Sequence, residues 1–237
     1  MRNKWFCYIK IDEENNSIIT SGMTFKDFIS GINQKPKNML ILKGFPDNCS
    51  WCKELGLEYI TPEKMEDFLQ ENVYHYGDFC WIDFQDKENL NFVTKQELAE
   101  LLYLSHKKIP LQNFQFNTLK NRYVYLCHDD DYIVNIYMQS LEEYKDIIQY
   151  KILSELKGRK RSIEPIPEYI IDKLYDLFKE GYAFDFENAY NTGVRVLPIG
   201  EIHGVETIHS KLDRQRNIPG AGICVDYNPK TKKWKIY

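Results

Sequence analysis

Apolar residues along this chain gather into short runs with two periods. Trp5 to Ile11, Ile18 to Thr20, Met39 to Leu42, Asp78 to Phe84, Tyr123 to Leu126, Tyr132 to Tyr137 and Val194 to Ile199 are compact and rich in β-branched or aromatic residues. Such runs fit a pleated, half-buried surface and predict strands. Elsewhere the apolar positions recur at three and four residues, as Ile170, Ile171, Leu174, Leu177 and Phe178 do, and predict a helix over Pro167 to Glu180. Gly181 then stands where a helix is commonly closed.

Polar residues mark where these elements begin. Thr24 and Asp27, Thr94 and Glu97, and Ser140 and Glu143 have capping-box spacing, in which two side chains satisfy backbone N–H groups at a helix start. Thr61-Pro62 opens another helix, with Met65, Phe68 and Leu69 turned inward and an end near Val73. Leu98, Leu101 and Leu102 form the inner face of the helix after Thr94, and Leu141, Tyr144, Ile148, Ile152 and Leu156 that of the helix after Ser140. Residues 111–120 read as an edge strand or an ordered loop. Ile202 to Leu212 is partly helical, and Ile223 to Tyr227 with Trp234 to Tyr237 forms a terminal hairpin.

The unit from Arg122 to Leu156 organises the rest: two strands joined through Asp129-Asp130-Asp131, then a helix. Strands joined by short turns and interspersed with helices predict an α+β fold, a mixed and largely antiparallel sheet with helices packed on it. The Lys157-Gly158-Arg159-Lys160-Arg161-Ser162 stretch, followed by Pro165 and Pro167, reads as an exposed connection. It divides a main α+β domain over 1–157 from a C-terminal α+β segment over 163–237, expected to pack on the same body.

Composition narrows the function classes. A chain of 237 residues with 14% aromatic content can bury a substantial core, which argues against disorder. A net charge of −4 argues against a dedicated nucleic-acid binder, since phosphate neutralisation needs a basic face. No run approaches the roughly 18 apolar residues of a membrane-spanning helix, and the N-terminal apolar run stops too early for a signal peptide. Of six cysteines, Cys7, Cys80, Cys127 and Cys224 sit inside strand-like runs, as small buried hydrophobes do. A cytoplasmic, reducing setting is expected.

Several clusters have candidate chemistry, each with an ordinary alternative. His128 with Asp129, Asp130 and Asp131 supplies an imidazole and hard oxygens for a divalent metal, although successive strand or turn residues point in alternating directions. Its ordinary account is a solvated turn. Glu201 and His203 form a second polar group with Glu206 and His209, but a spacing of six puts the two histidines on different faces of a helix. Asp185 and Glu187 would share one face of a strand.

Cys49-Ser50-Trp51-Cys52 has the C-x-x-C spacing of a redox site, where a following helix lowers a thiol pKa. Gly56 interrupts any helix there. The same pair with His75 and Cys80 could make a zinc site, but a second closely spaced pair is missing. Arg159 and Arg161, and Arg214 and Arg216, are candidate partner-binding residues that clamp anionic groups. No phosphate-binding, dinucleotide or nucleophile-elbow motif occurs.

KWFCYIKIDEENNSIITSGMTFKDFISG (residues 4–31) and VYHYGDFCWIDF (residues 73–84) resemble a group of Bacillus-type bacterial proteins of similar length and unassigned role. Some of that group are labelled oxalate/formate antiporters, a label at odds with the lack of any membrane-length apolar run. The resemblance implies a soluble bacterial protein and carries over no catalytic residue.

These readings converge on a non-catalytic protein-interaction or regulatory module whose partner is another protein, with no membrane and with homo-oligomerisation left open. The alternative is a metal-dependent hydrolase of a phosphate-containing or other small substrate, built on His128, Asp130 and Asp131 with Glu201 or His203. No cofactor is expected, and zinc or another divalent metal is the one group left open.

Overall fold

A computed structural model of the chain describes residues 5–107, 111–128, 133–156, 163–187, 189 and 193–237. Every strand pairing whose register is described is antiparallel. The sheet is therefore antiparallel in those ladders rather than mixed, and helices are interspersed, as an α+β chain requires. The chain divides into two compact units, one over residues 1–12, 19–33 and 141–237 and the other over 13–18 and 34–140. The C-terminal segment thus shares a unit with the first strand, and the basic connection at 157–162 lies outside the described residues.

The first unit contains β1 (Phe6–Asp12), the end of β2 (Ser17–Ser21), α1 (Phe25–Gly31), α4 (Tyr144–Leu156), α5 (Glu168–Lys179), β9 (Tyr182–Asp185), β10 (Val194–Pro198), α6 (Val205–Arg216), β11 (Ile223–Asn228) and β12 (Lys233–Ile236). Its strands follow the order β12-β11-β10-β9-β1-β2. Strand β9 was not expected: four residues after a helix cap are too few for period to reveal, yet Phe6 pairs with Asp185 and Ile9 with Tyr182. Phe6, Tyr8, Leu197, Ile208 and Leu212 build one core here. Ile170, Ile171, Leu174 and Phe178 of α5 are buried as the period predicts, whereas Leu177 is half-buried and Tyr175 is buried instead; Phe178 meets Phe184 edge-on at 5.0 Å.

The expected capping box at Thr24 is present. Thr24 Oγ1 accepts from Asp27 N–H, and Asp27 Oδ2 accepts from Thr24 N–H, both at 3.0 Å. Asp27 Oδ2 also accepts from Lys151 Nζ of α4 at 2.9 Å, and the same ammonium reaches Glu155 at 2.9 Å. Burial pushes the Lys151 ammonium down, but the surrounding anionic groups more than offset this and hold it above the ordinary lysine range. Helices α1 and α4 approach so closely that a Cβ on Gly31 would stand 2.6 Å from Ile147 Cα, which accounts for the glycine. Helix α4 itself starts at Tyr144 after a single 3-10 turn over Leu141–Glu143, rather than directly from Ser140.

The second unit holds β3 (Asn38–Lys43), β4 (Ser50–Cys52), β5 (Leu57–Ile60), α2 (Pro62–Phe68), β6 (Phe79–Phe84), α3 (Lys95–Leu104), β7 (Tyr123–His128) and β8 (Ile133–Met138), in strand order β8-β7-β6-β3-β5-β4. The predicted hairpin is β7–β8, from Tyr123↔Met138 to His128↔Ile133. Trp81 of β6 stacks on its cross-strand neighbour Tyr125 at 5.6 Å, a pairing worth about 1 kcal/mol beyond burial.

Helix α2 stops at Phe68, five residues before Val73, and buries Phe68 alone. In α3 the Thr94–Glu97 capping box forms as expected, but Leu101 and Leu104 are buried and Leu102 is exposed, because positions three apart share the inner face. Residues 111–120 are an ordered loop without strand pairing. Asn121 holds it, accepting from Phe116 N–H at 2.8 Å and donating to Phe114 O at 3.0 Å, while Leu111, Phe114, Phe116 and Leu119 fill the core.

Asp83 is buried where β6 meets the start of β7. Its Oδ1 accepts from the N–H groups of Arg122 (2.8 Å) and Tyr123 (2.6 Å). Burial nonetheless pushes its carboxyl up to about 6, and those hydrogen bonds only partly resist.

Two expectations follow. Lys151→Met leaves two carboxylates without their cation and lowers stability by about 3 kcal/mol in urea unfolding, whereas adding Asp27→Asn recovers part of the loss. For Asp83 the folded form binds the extra proton between the ordinary carboxyl pKa and about 6, so its stabilising share is present below that window and lost as pH rises through it. Asp83→Asn keeps an oxygen for both N–H groups. It is expected to raise stability by about 1–2 kcal/mol at pH 7 and to flatten the slope of unfolding midpoint against pH between about 4 and 6.

Candidate functional site

The C-x-x-C stretch folds as a strand. Ser50, Trp51 and Cys52 pair with Tyr59, Glu58 and Leu57, and Lys53 to Gly56 turn the chain between them. Gly56 has a φ of 64°, a left-handed conformation that glycine adopts without strain, and its N–H donates to Cys52 O at 2.9 Å. Period two sets the faces: Cys49 and Trp51 alternate with Ser50 and Cys52. Cys52 enters the core with Leu55, Leu57 and Tyr59. Trp51 is left 59% exposed opposite Glu58.

The loop ahead of this strand is tied down but presents an aromatic side chain. Cys49 Sγ donates to Pro46 O at 3.3 Å, Lys64 of α2 donates to Cys49 O at 3.0 Å, and Asn48 donates to Asp67 at 3.4 Å. Phe45, six residues before Trp51, is 80% exposed. Among the described residues β4 has a strand, β5, on one side only. An anchored loop and a bare edge strand thus place two large aromatic side chains in water.

The two thiols do not have the setting of a redox pair. The stretch lies on a strand rather than at a helix N-terminus, so no helix dipole lowers a thiol pKa. Burial and the neighbouring Glu58 carboxylate push Cys49 up to about 11. Cys52 Sγ donates to Glu54 at 3.4 Å, and both cysteines are free thiols. Cys80 is buried in β6, donates to Cys127 O at 3.6 Å, and is pushed up to about 12 by burial. His75 is exposed with its Nε2 3.2 Å from Asn72 Nδ2. Among the described residues, no three His, Cys, Asp or Glu side chains come together in an arrangement able to hold a metal ion.

His128 ends β7 and is 5% exposed, with Nδ1 3.9 Å from Asp78 Oδ2, which also receives Lys43 Nζ at 2.6 Å. That hydrogen bond raises the Lys43 pKa. Asp129, Asp130 and Asp131 lie outside the described residues, as do Arg159 and Arg161. Neither Asp78 nor Lys43 was singled out from the sequence, because their pairing joins the end of β3 to the residue before β6, 35 positions away.

In the first unit, Glu201 and His203 are exposed in the segment before α6. Glu201 Oε1 is 3.9 Å from Lys10, and its carbonyl accepts from Lys211 at 2.6 Å. His209 packs edge-on against Phe6 at 5.2 Å. Asp185 is buried and held by both arms of Arg216 at 3.0 Å, so this carboxylate and this guanidinium are already committed to each other. Arg214 is exposed. Among the described residues, no helix is long and apolar enough to cross a membrane.

No protein-family model, curated protein or solved structure matches the chain.

The raised Cys49 pKa has a direct consequence. A thiol near 11 rather than 9 has about a hundredth of the thiolate at pH 8. Iodoacetamide is expected to label Cys49 in the folded protein about 100-fold more slowly than a free cysteine, read by mass spectrometry of its tryptic peptide. Rapid, selective labelling of Cys49 would restore the redox reading.

Proposed function

We propose that this protein is a non-catalytic interaction or regulatory module, and that the β4–β5 hairpin with its preceding loop is where it meets another protein. The observation that carries this reading is the exposure of Phe45 and Trp51 on a segment anchored by Lys64 and Asn48. Aromatic side chains, tryptophan above all, dominate the energetics of protein interfaces, and here they sit on a scaffold that loses little freedom on binding. Six free cysteines and the Bacillus-type resemblance support a reducing bacterial cytoplasm as its setting.

A second reading, a metal-dependent hydrolase of a phosphate-containing or other small substrate, is favoured by the buried His128 facing Asp78 beside the Asp129–Asp131 stretch. Near-stoichiometric divalent metal that is lost in His128→Ala would put this reading ahead.

The interaction reading is tested by comparing the tagged full chain with Trp51→Ser and Phe45→Ser in affinity capture from the organism's own extract. Both residues are surface-exposed, so each variant is expected to unfold within a degree or two of the parent. At least one protein retained by the parent is expected to be lost from both variants. Identical captured sets would remove the hairpin as the contact.

A further inference from the structure

Resting on the interaction reading, we infer that β4 takes up an extended, lysine- or arginine-bearing segment of a partner protein as an additional antiparallel or parallel strand. Three features of the hairpin lead to this chemistry.

Strand β4 ends its ladder, and an edge strand offers a row of backbone donors and acceptors to any chain that can lie alongside. Edges that must stay single are blunted, and this molecule shows how. In β12, the last strand of its own ladder, Lys233 and Lys235 are exposed and flank the buried Trp234, so a neighbouring strand would have to accommodate two cations. Strand β4 is only three residues long but has neither lysine nor proline. Its outward residue is Trp51, and Phe45 stands in the loop leading to it.

Charge identifies the occupant. Residues 44–72 carry seven carboxylates against two lysines, while the whole chain has a net charge of only −4. One of those lysines, Lys64, is engaged with the Cys49 carbonyl. Asp47 and Glu54 are exposed, and Glu58 lies directly across from Trp51. A cationic side chain laid over the Trp51 ring would meet the π-face and the Glu58 carboxylate together. Alternate residues of the added strand would face the opposite way, so apolar and basic residues in alternation match the hairpin best. An acidic segment would be repelled, which gives selectivity as well as attraction.

The test uses the full chain with three synthetic octapeptides in isothermal calorimetry at low salt. They are an alternating lysine–valine peptide, its glutamate–valine counterpart, and the lysine–valine peptide N-methylated at every second amide. Methylation removes strand hydrogen bonding while keeping charge and side chains. The lysine–valine peptide is expected to bind at least tenfold more tightly than either of the others. It is also expected to bind at least tenfold more tightly to the parent than to Trp51→Ser, and to weaken as salt is added. Equal affinity of the methylated peptide, or of the glutamate peptide, would overturn strand addition by a basic segment. So would equal binding to Trp51→Ser. If the peptide fails to bind while Trp51→Ser and Phe45→Ser still lose a captured protein, this inference falls and the interaction reading stands. If the substitutions affect neither peptide nor capture, both fall.

Discussion

One carboxylate oxygen, Asp27 Oδ2, closes the capping box of α1 and also receives the buried ammonium of Lys151 from α4. Taking a lysine out of water is costly, and it persists here because Asp27 and Glu155 both lie within 2.9 Å. The arrangement fixes more than charge. Since Asp27 is the third residue of α1, its side chain can serve Lys151 only while the first turn of that helix is formed. Gly31 meets Ile147 four residues further on, so α1 and α4 are held at one end by an ion pair and at the other by backbone contact. The Phe186 ring also lies 5.8 Å from the Lys151 ammonium, adding the chain beyond β9 to the same centre.

The second unit uses a buried carboxylate with the opposite balance. Asp83 substitutes for a strand carbonyl at the start of β7 by accepting two backbone N–H groups. Its hydrogen bonds fall short of offsetting burial, so its pKa lies near 6 instead of being depressed. The contrast between Lys151 and Asp83 shows that the number and charge of the partners decide whether a buried ion is comfortable. The cysteines of this unit follow a simpler rule. Cys52 and Cys80 fill core volume, and burial raises the Cys80 thiol out of the reactive range.

Outside these packed cores, the hairpin of β4 and β5 is one of several places where large apolar side chains reach water. Its inner face is packed with Cys52, Leu55, Leu57 and Tyr59, while its outer face shows Trp51 beside a carboxylate-rich segment. Apolar area left in water on an anchored strand is a cost that a partner could remove. That tension gives the interaction reading its physical content and points to a partner that is extended and cationic.

Local period and capping chemistry alone determined much of the architecture. The strands β1, β3, β6, β7, β8, β10, β11 and β12, the capping boxes at Thr24 and Thr94, and the apolar stripe of α5 all follow from residues within a few positions of one another. Short elements were hidden: the three residues of β4 read first as a cysteine motif, and the four of β9 did not stand out as an element. The burial of Lys151 beside Ile148 and Ile152 depends on Asp27, which lies 124 residues away. Asp185 likewise read as half of a carboxylate pair until folding brought Arg216 onto it. Which strand is left at an edge, and which aromatic side chain is left in water, are likewise settled only when distant segments pair. Short-range sterics and hydrogen bonding act within a turn or a strand and so are written in consecutive residues, whereas charge compensation, register and edge exposure depend on contacts that exist only in the folded chain.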